Sequence, residues 1–221
     1  MFAHMDTSTL RRSHSHAVVV RARSRGNTGF TLIELLVVVA IIVVISAVVL
    51  TDNNRFGGVV LLNNLAYDVA LSVRQAQVYG IAVSRTSTGS FNAGYGVHFD
   101  TANPADYILF ADSINANGVL DCSSPTNCET VSDTQIQRGF KIVKLCAPEG
   151  TDASSCNAVD QLDIVFIRPE PDAYISDNNA ATFNAGISNG TSDASARIVL
   201  ESPRGDIKSV IVENSGQISV Q

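Results

Sequence analysis

Three groups of residues in this 221-residue chain have side chains whose types and spacing could do chemistry. The first is a lone carboxylate, Glu34, inside an otherwise uncharged apolar segment. The second is a set of four cysteines, and the third is a stretch rich in aspartate and asparagine between residues 112 and 121. A carboxylate inside a membrane is costly, so Glu34 is predicted to have a functional partner. The cysteines could form disulfides or bind zinc, and oxygen-rich loops are typical of calcium sites.

The segment around Glu34 is predicted to cross a membrane. Residues 35–50 carry no charge and one hydroxyl group, and residues 30–33 extend the apolar run to bilayer-spanning length. Residues 1–29 contain five arginines and one aspartate, a net charge of +4, which predicts that they stay in the cytoplasm. We therefore predict a basic leader (1–29), a transmembrane helix (30–52) that crosses the inner (cytoplasmic) membrane once, and a C-terminal head outside the cytoplasm.

Residues 29–36 read GFTLIELL, which strongly resembles the type IV prepilin processing signal. The resemblance implies that a prepilin peptidase cuts between Gly29 and Phe30 and methylates the new amino terminus of Phe30. It also implies that Glu34 is an assembly residue, which pairs with the terminal amine of a neighbouring subunit and so offsets two desolvation costs. The alternatives are an uncleaved signal anchor, a twin-arginine signal and a secretory signal peptide, which would have a shorter apolar core.

The same resemblance implies a pilin fold, of class α+β, in which a long N-terminal helix packs on an antiparallel β-sheet head. Residues 53–80 fit this expectation, because their apolar residues recur every three or four positions and predict an amphipathic continuation of the helix. This stripe is formed by Leu62, Leu65, Ala66, Val69, Val73, Ala76 and Gly80. The segment 65–76 also resembles the helix of GspH/FimT-like minor pseudopilins of type II secretion. Because no proline stands near Thr51, the pair Gly57-Gly58 is the candidate hinge.

The head, residues 81–221, changes to a period of two that is typical of β-strands. Seven strands are predicted at residues 81–85, 95–99, 107–111, 140–146, 162–168, 196–201 and 208–213. Residues 207–221 indicate a terminal hairpin with its turn at residues 213–216. Two polar stretches, 123–132 and 175–194, are expected to be exposed loops that carry whatever is specific to this protein.

The four cysteines, Cys122, Cys128, Cys146 and Cys156, all lie in the head. An even number of cysteines outside the cytoplasm favours two disulfides, and the short spacings favour Cys122–Cys128 and Cys146–Cys156. Three connectivities remain open. A four-thiolate zinc site is the alternative, although its usual tight spacing is missing.

The stretch from residue 112 to residue 121 has two interpretations. Its asparagines and a following glycine fit positions three, five and six of a calcium loop, but positions one and twelve would be serines. The favoured alternative is a tight hairpin turn at Asn117-Gly118. We expect no cofactor, with calcium as a weak candidate at Asp112, Asn115, Asn117 and Asp121.

The head contains no recognisable catalytic motif, and the chain is not expected to be an enzyme. His98 is the one histidine outside the leader, and the strand pattern predicts it at the surface. Asp160 and Asp163 are predicted to be strand-edge residues that favour solubility.

We therefore predict a minor pilin or pseudopilin, a structural subunit of a type II secretion pseudopilus or a type IV pilus. Its expected partners are prepilin peptidase, other pilin subunits and the inner-membrane assembly platform. The alternative is a DNA-uptake (competence) or adhesive tip pilin. Nucleic-acid binding is not expected, because residues 30–221 carry 20 acidic and 10 basic side chains. Arg138, Lys141 and Lys144 form the one local basic cluster noted in the sequence.

Overall fold

The computed structural model describes residues 29–82, 93–124, 127–178, 180, 182–184, 187–188 and 192–221, with backbone alone for residues 51–56, 183–184 and 187–188. The leader predicted at residues 1–29 lies outside this part of the chain except for Gly29. Two compact units are present, Met1–Ala47 and Val48–Gln221. The predicted division of the chain at residues 52 and 80 stays a prediction.

Helix α1 (Leu32–Ile81) begins in the first unit. Its segment Leu32–Leu50 is long and apolar enough to cross a membrane, and none of that segment is buried inside the protein. A helix that is apolar on every side needs lipid or other helices around it. Among the described residues this is the one segment that meets these criteria, and it indicates a membrane-anchored protein.

In the second unit, α1 continues without interruption through Gly57 and Gly58. The helix has no break at this pair, although glycine has a low helix propensity, and the hinge there stays a prediction. The strand predicted at residues 81–85 is wrong at its first residue, since Ile81 ends the helix. Residues 83–85 lie outside the described residues.

The strands of the second unit are mostly short. Their bounds are β1 (Gly94–Asp100), β2 (Asp106–Asp112), β3 (Cys122–Ser124), β4 (Asn127–Cys128), β5 (Thr130–Gln135), β6 (Lys141–Cys146), β7 (Ala158–Val159), β8 (Gln161–Phe166), β9 (Ala173–Asp177), β10 (Phe183–Asn184), β11 (Ile187–Ser188), β12 (Ser195–Glu201), β13 (Ile207–Glu213) and β14 (Ile218–Val220).

Within the described residues, the strands form two five-stranded antiparallel sheets. The first sheet has the order β5-β2-β1-β8-β9, and the second has the order β14-β13-β12-β6-β7. Two small hairpins, β3-β4 and β10-β11, stand apart from these sheets. The α+β class and the pilin-like arrangement of an N-terminal apolar helix with an antiparallel β-sheet head are thereby confirmed.

One apolar core joins the amphipathic part of α1 to both sheets. The predicted helix stripe packs into this core, and Leu62, Ala66, Val69 and Val73 are almost completely buried. Alternate residues of the strands, such as Val97 in β1, complete it. The period of three to four residues in the helix and of two in the strands therefore determines which side chains meet.

Six of the seven predicted strands are present, within one or two residues of the predicted ends. The loop predicted at residues 123–132 is wrong, because it contains β4 and the first residues of β5. The loop predicted at residues 175–194 begins inside β9. Strand β5 was missed because all six of its residues are exposed, so it has no apolar alternation to reveal it.

Two glycines of α1 give a matched test of how the helix packs. A Cβ atom added at Gly80 would clash with the backbone oxygen of Phe166, whereas one added at Gly58 would meet no atom of the described residues within 4 Å, the adjacent backbone of the helix apart. We expect Gly80→Ala to lower the free energy of unfolding by about 2 kcal/mol, because the helix must move away from β8. Gly58→Ala should raise it by about 0.5 kcal/mol through helix propensity.

Urea unfolding of the full chain in detergent, followed by far-ultraviolet circular dichroism, measures both changes. Equal effects of the two substitutions would contradict the close approach of α1 to β8.

Candidate functional site

The predicted cleavage point lies just outside helix α1. Gly29 and Phe30 are not helical and both are exposed, with 82% of Phe30 accessible. Apart from its chain neighbours, none of the described residues has an atom within 4 Å of the position that a Cβ of Gly29 would occupy. A peptidase could therefore reach the Gly29–Phe30 bond without breaking hydrogen bonds of the helix.

Thr31 caps the helix at this point. Its Oγ1 accepts a hydrogen bond from the backbone N–H of Glu34 at 3.2 Å, and its carbonyl oxygen accepts one from Leu35 at 3.2 Å. A threonine followed three residues later by a glutamate is a capping-box sequence. This role of Thr31 was missed, although the pattern T-x-x-E is visible in the sequence.

The cap places Glu34 in the first turn of α1, where the helix dipole favours a negative charge. Its side chain is exposed, and its carboxylate makes no hydrogen bond or ion pair with any described residue. The carboxylate can therefore accept a partner from outside the chain.

The cysteines form two disulfides, Cys122–Cys128 and Cys146–Cys156. The first joins the paired strands β3 and β4, and the second joins the end of β6 to the loop before β7. All four thiols are used, which leaves none for the alternative zinc site.

The loop between β2 and β3 is closed by carboxylates. Asp112 accepts hydrogen bonds from the backbone N–H groups of Asn117 at 3.1 Å and Gly118 at 2.8 Å. Asp121 Oδ2 accepts hydrogen bonds from the side-chain amides of Asn115 at 2.7 Å and Asn117 at 3.1 Å. The tight hairpin turn predicted at Asn117-Gly118 is wrong, because β2 pairs with β1 and β5 and not with the strand that follows the loop.

Glu129, a residue that sequence reasoning missed, holds the same loop from the other side. Its side chain is 4% exposed and accepts hydrogen bonds from the backbone N–H groups of Ser113, Ile114 and Asp121. The four residues considered for calcium are thus engaged in closing their own loop. In the part of the chain that the structure describes, no group of three His, Cys, Asp or Glu residues is placed to hold a metal ion.

A buried pair lies beneath this loop. His98 Nδ1 is 2.8 Å from Asp163 Oδ1, and the side chain of Asp163 is completely buried. The backbone N–H of Leu120 donates to the same carboxylate oxygen at 3.3 Å. The predictions of a surface histidine and a strand-edge aspartate are therefore wrong, because the loop covers a sheet face that the alternation assigned to solvent.

Burial dominates the electrostatics of these groups. It raises the pKa of Asp112 to about 7 against the hydrogen bonds from Gly118 and Asn117, which lower it. Burial also raises the pKa values of Glu129 and Asp163 above their ordinary range. For His98, burial lowers the pKa, but the hydrogen bond and charge of Asp163 outweigh this effect and the net pKa is raised.

Comparison with known families places the N-terminal geometry in context. Residues 24–50 match the family model described as the prokaryotic N-terminal methylation motif. This range includes the exposed Gly29–Phe30 bond, the Thr31 cap and Glu34, so the prepilin-type resemblance is confirmed for this segment. No curated protein and no solved structure matches the chain. Because the motif ends at residue 50, the GspH/FimT-like subtype stays a prediction.

The raised pKa values predict a head that is more stable in mild acid. Between about pH 4 and pH 7, folded Asp112 keeps a proton that the unfolded chain releases, so stability falls as pH rises. His98 acts in the same direction, because its contribution is present below its unfolded pKa and is lost as pH rises through the folded pKa. We expect the free energy of unfolding to fall by about 2 kcal/mol from pH 5 to pH 7 through Asp112 alone.

Urea unfolding of the full chain across this pH range measures the effect. Asp112→Asn should flatten the profile. Asp152→Asn is the matched control, because Asp152 is exposed and hydrogen bonds led by that from Ser154 lower its pKa to about 2, outside the range tested. A wild-type chain whose stability rises from pH 5 to pH 7 would contradict the assignment.

Proposed function

We propose that this chain is a minor pilin or pseudopilin, a structural subunit of a type II secretion pseudopilus or a type IV pilus. The observation that carries the proposal is the N-terminal methylation motif, set on an exposed bond immediately before a capped helix that is apolar on every side. A secretory signal peptide would not need a carboxylate in its apolar segment. A fibre subunit would, because assembly requires a specific contact between neighbouring helices.

The first step of the proposed pathway is processing. Prepilin peptidase cuts the Gly29–Phe30 bond, removes the basic leader and methylates the amine of Phe30. The charge of +4 on residues 1–29 supports a cytoplasmic leader and an inner-membrane location, with the head outside the cytoplasm. An unprocessed chain keeps its leader attached to the helix start, and the terminal amine needed for assembly does not yet exist.

The second step is assembly with other pilin subunits by the inner-membrane platform. When a subunit leaves the bilayer, the helices of its neighbours must replace lipid around residues 32–50. Glu34 and the Phe30 amine of a neighbour then form an ion pair in an apolar surrounding. Leaving either charge unpaired there costs about 3–5 kcal/mol, so the pair fixes the axial position of one subunit against the next.

We propose that the head does no chemistry of its own and needs no cofactor. His98 and Asp163 resemble part of a catalytic arrangement, but only 14% and 0% of their side chains are exposed. The loop between β2 and β3 covers them, and its Leu120 N–H donates a hydrogen bond to Asp163. A substrate could not reach them without local unfolding. Their arrangement supports a structural role in fixing the loop between β2 and β3.

The competence alternative receives less support from the basic cluster noted in the sequence. Lys141 forms an ion pair with Glu201 at 3.2 Å, and Lys144 donates a hydrogen bond to the backbone oxygen of Ala153. Duplex DNA binding needs several free cations on one face, and these two are engaged.

Substitution of Glu34 tests the proposed assembly step. Glu34→Leu should insert into the membrane at least as well as the wild type, because a buried carboxylate is removed. Its incorporation into fibres should fall by about tenfold or more, since the neighbouring amine is left without a partner. Ser46→Leu is the matched control, because it removes a polar group from the same segment without removing a charge.

Quantitative immunoblotting in the native host measures the amount of each variant in sheared fibres and the amount in the membrane fraction. Normal incorporation of Glu34→Leu, or an equal loss in Ser46→Leu, would refute the pairing.

A further inference from the structure

A cleft of about 500 Å³ opens where α1 enters the head. We name it the basal cleft, and the residues that matter for its chemistry are Gly57, Gly58, Leu61, Arg138, Phe140 and Arg204. The two glycines leave its helix side open, because a Cβ at either position would meet no atom of the described residues within 4 Å, the adjacent backbone of the helix apart. Leu61 and Phe140 give the cleft an apolar surface, and Arg138 and Arg204 add two positive charges.

Neither arginine of the basal cleft has a partner among the described residues. Both are exposed, and neither guanidinium group forms a hydrogen bond or an ion pair there. Two acids close to the turn of Arg204 are engaged elsewhere, since Glu201 pairs with Lys141 at 3.2 Å and Asp206 accepts a hydrogen bond from Ser202 at 3.1 Å. Residues 30–221 carry a net charge of −10, so this site is locally positive on an acidic chain.

The backbone holds both arginines in fixed turns. Arg138 has φ 64° and is followed by Gly139 with φ 74°, a conformation in which a residue with a side chain is uncommon. A Cβ at Gly139 would lie 3.3 Å from Pro203, so the turn of Arg138 lies next to the turn of Arg204. The serine at position 202 stabilises the second turn by accepting hydrogen bonds from the backbone N–H groups of Arg204 and Asp206.

The basal cleft lies close to the end of the apolar segment. Leu50 is the last residue of that segment, and Gly57 follows seven residues later in the same helix and the same unit. At 1.5 Å per residue, about 10 Å of helix separates them. The headgroup layer of a bilayer extends about 5–8 Å beyond the hydrocarbon, and an arginine side chain spans the remaining distance.

We propose that the basal cleft binds anionic phospholipid headgroups of the membrane leaflet on the side of the head, with Arg138 and Arg204 as the phosphate ligands. Guanidinium groups bind phosphate through paired N–H donors, and anionic lipid attracts basic residues that lie near the surface. This inference rests on the proposed function, because it requires the segment 32–50 to cross the membrane. Lipid is favoured over duplex DNA because the free cations lie beside the helix where it approaches the bilayer.

Hydrogen–deuterium exchange of the full chain in nanodiscs tests the proposal. Discs of phosphatidylcholine are compared with discs that also contain phosphatidylglycerol. We expect amide exchange in residues 137–140 and 202–206 to slow several-fold in the anionic discs and to return to the neutral-disc rate in high salt. Exchange in the core strand β12 should not change, which verifies that the head is folded.

Substitutions locate the effect. Arg138→Gln and Arg204→Gln should each reduce the protection by phosphatidylglycerol, and together they should abolish it. Arg168→Gln is the charge-matched control, because Arg168 follows β8, whose last residue Phe166 contacts Gly80 near the other end of the helix. This control should keep the full protection.

Three results would overturn the proposal. Equal exchange in both kinds of disc, with the chain inserted, would refute the lipid site and leave the proposed function intact. A chain that does not insert into either disc would refute both. Slower exchange of residues 137–140 and 202–206 on addition of duplex DNA, without any effect of phosphatidylglycerol, would assign the cations to nucleic acid instead.

Discussion

Helix α1 has to be stable in two environments, and the rest of the molecule depends on this constraint. Over Leu32–Leu50 it is apolar on every side, and nothing in the described chain buries it. From Leu62 onward, one stripe is buried in the head while the opposite face stays polar or exposed. Glu34 is the exception in the apolar part, and the Thr31 cap places it in the first turn. A carboxylate at that point is stable when another subunit supplies a positive charge.

The head fixes its loops with covalent and charge-assisted contacts. Cys122–Cys128 and Cys146–Cys156 each join two nearby segments, and buried carboxylates hold the loop between β2 and β3 through its backbone N–H groups. Burial raises the pKa values of Asp112 and Glu129, because an environment that excludes water disfavours the charged form. These hydrogen bonds hold the loop between β2 and β3, but the buried acids make the free energy of unfolding lower at neutral pH than in mild acid.

Local patterns in the sequence were sufficient to predict the helix and most of the main strands. They were insufficient to predict the tertiary contacts between these elements. The letters GFTLIELL were specific enough for the processing segment, and the stripe from Leu62 to Ala76 was enough to orient the helix. Strand β5 was missed because an exposed strand has no apolar alternation. His98 and Asp163 were predicted at the surface, but the loop between β2 and β3 covers their face of the sheet. This is a tertiary contact, which the local alternation of a strand cannot reveal. The Thr31 cap was the one missed contact that a short pattern did contain.

Processing and assembly both require that the mature chain begin at Phe30, the residue before the helix cap. Intact-mass and peptide mass spectrometry of protein purified from its native membrane measures this directly. The account predicts that residues 1–29 are absent and that the amino terminus is Phe30 carrying one added methyl group on its nitrogen. A chain that keeps its leader, or one that begins near Thr51 after cleavage by a signal peptidase, would contradict it.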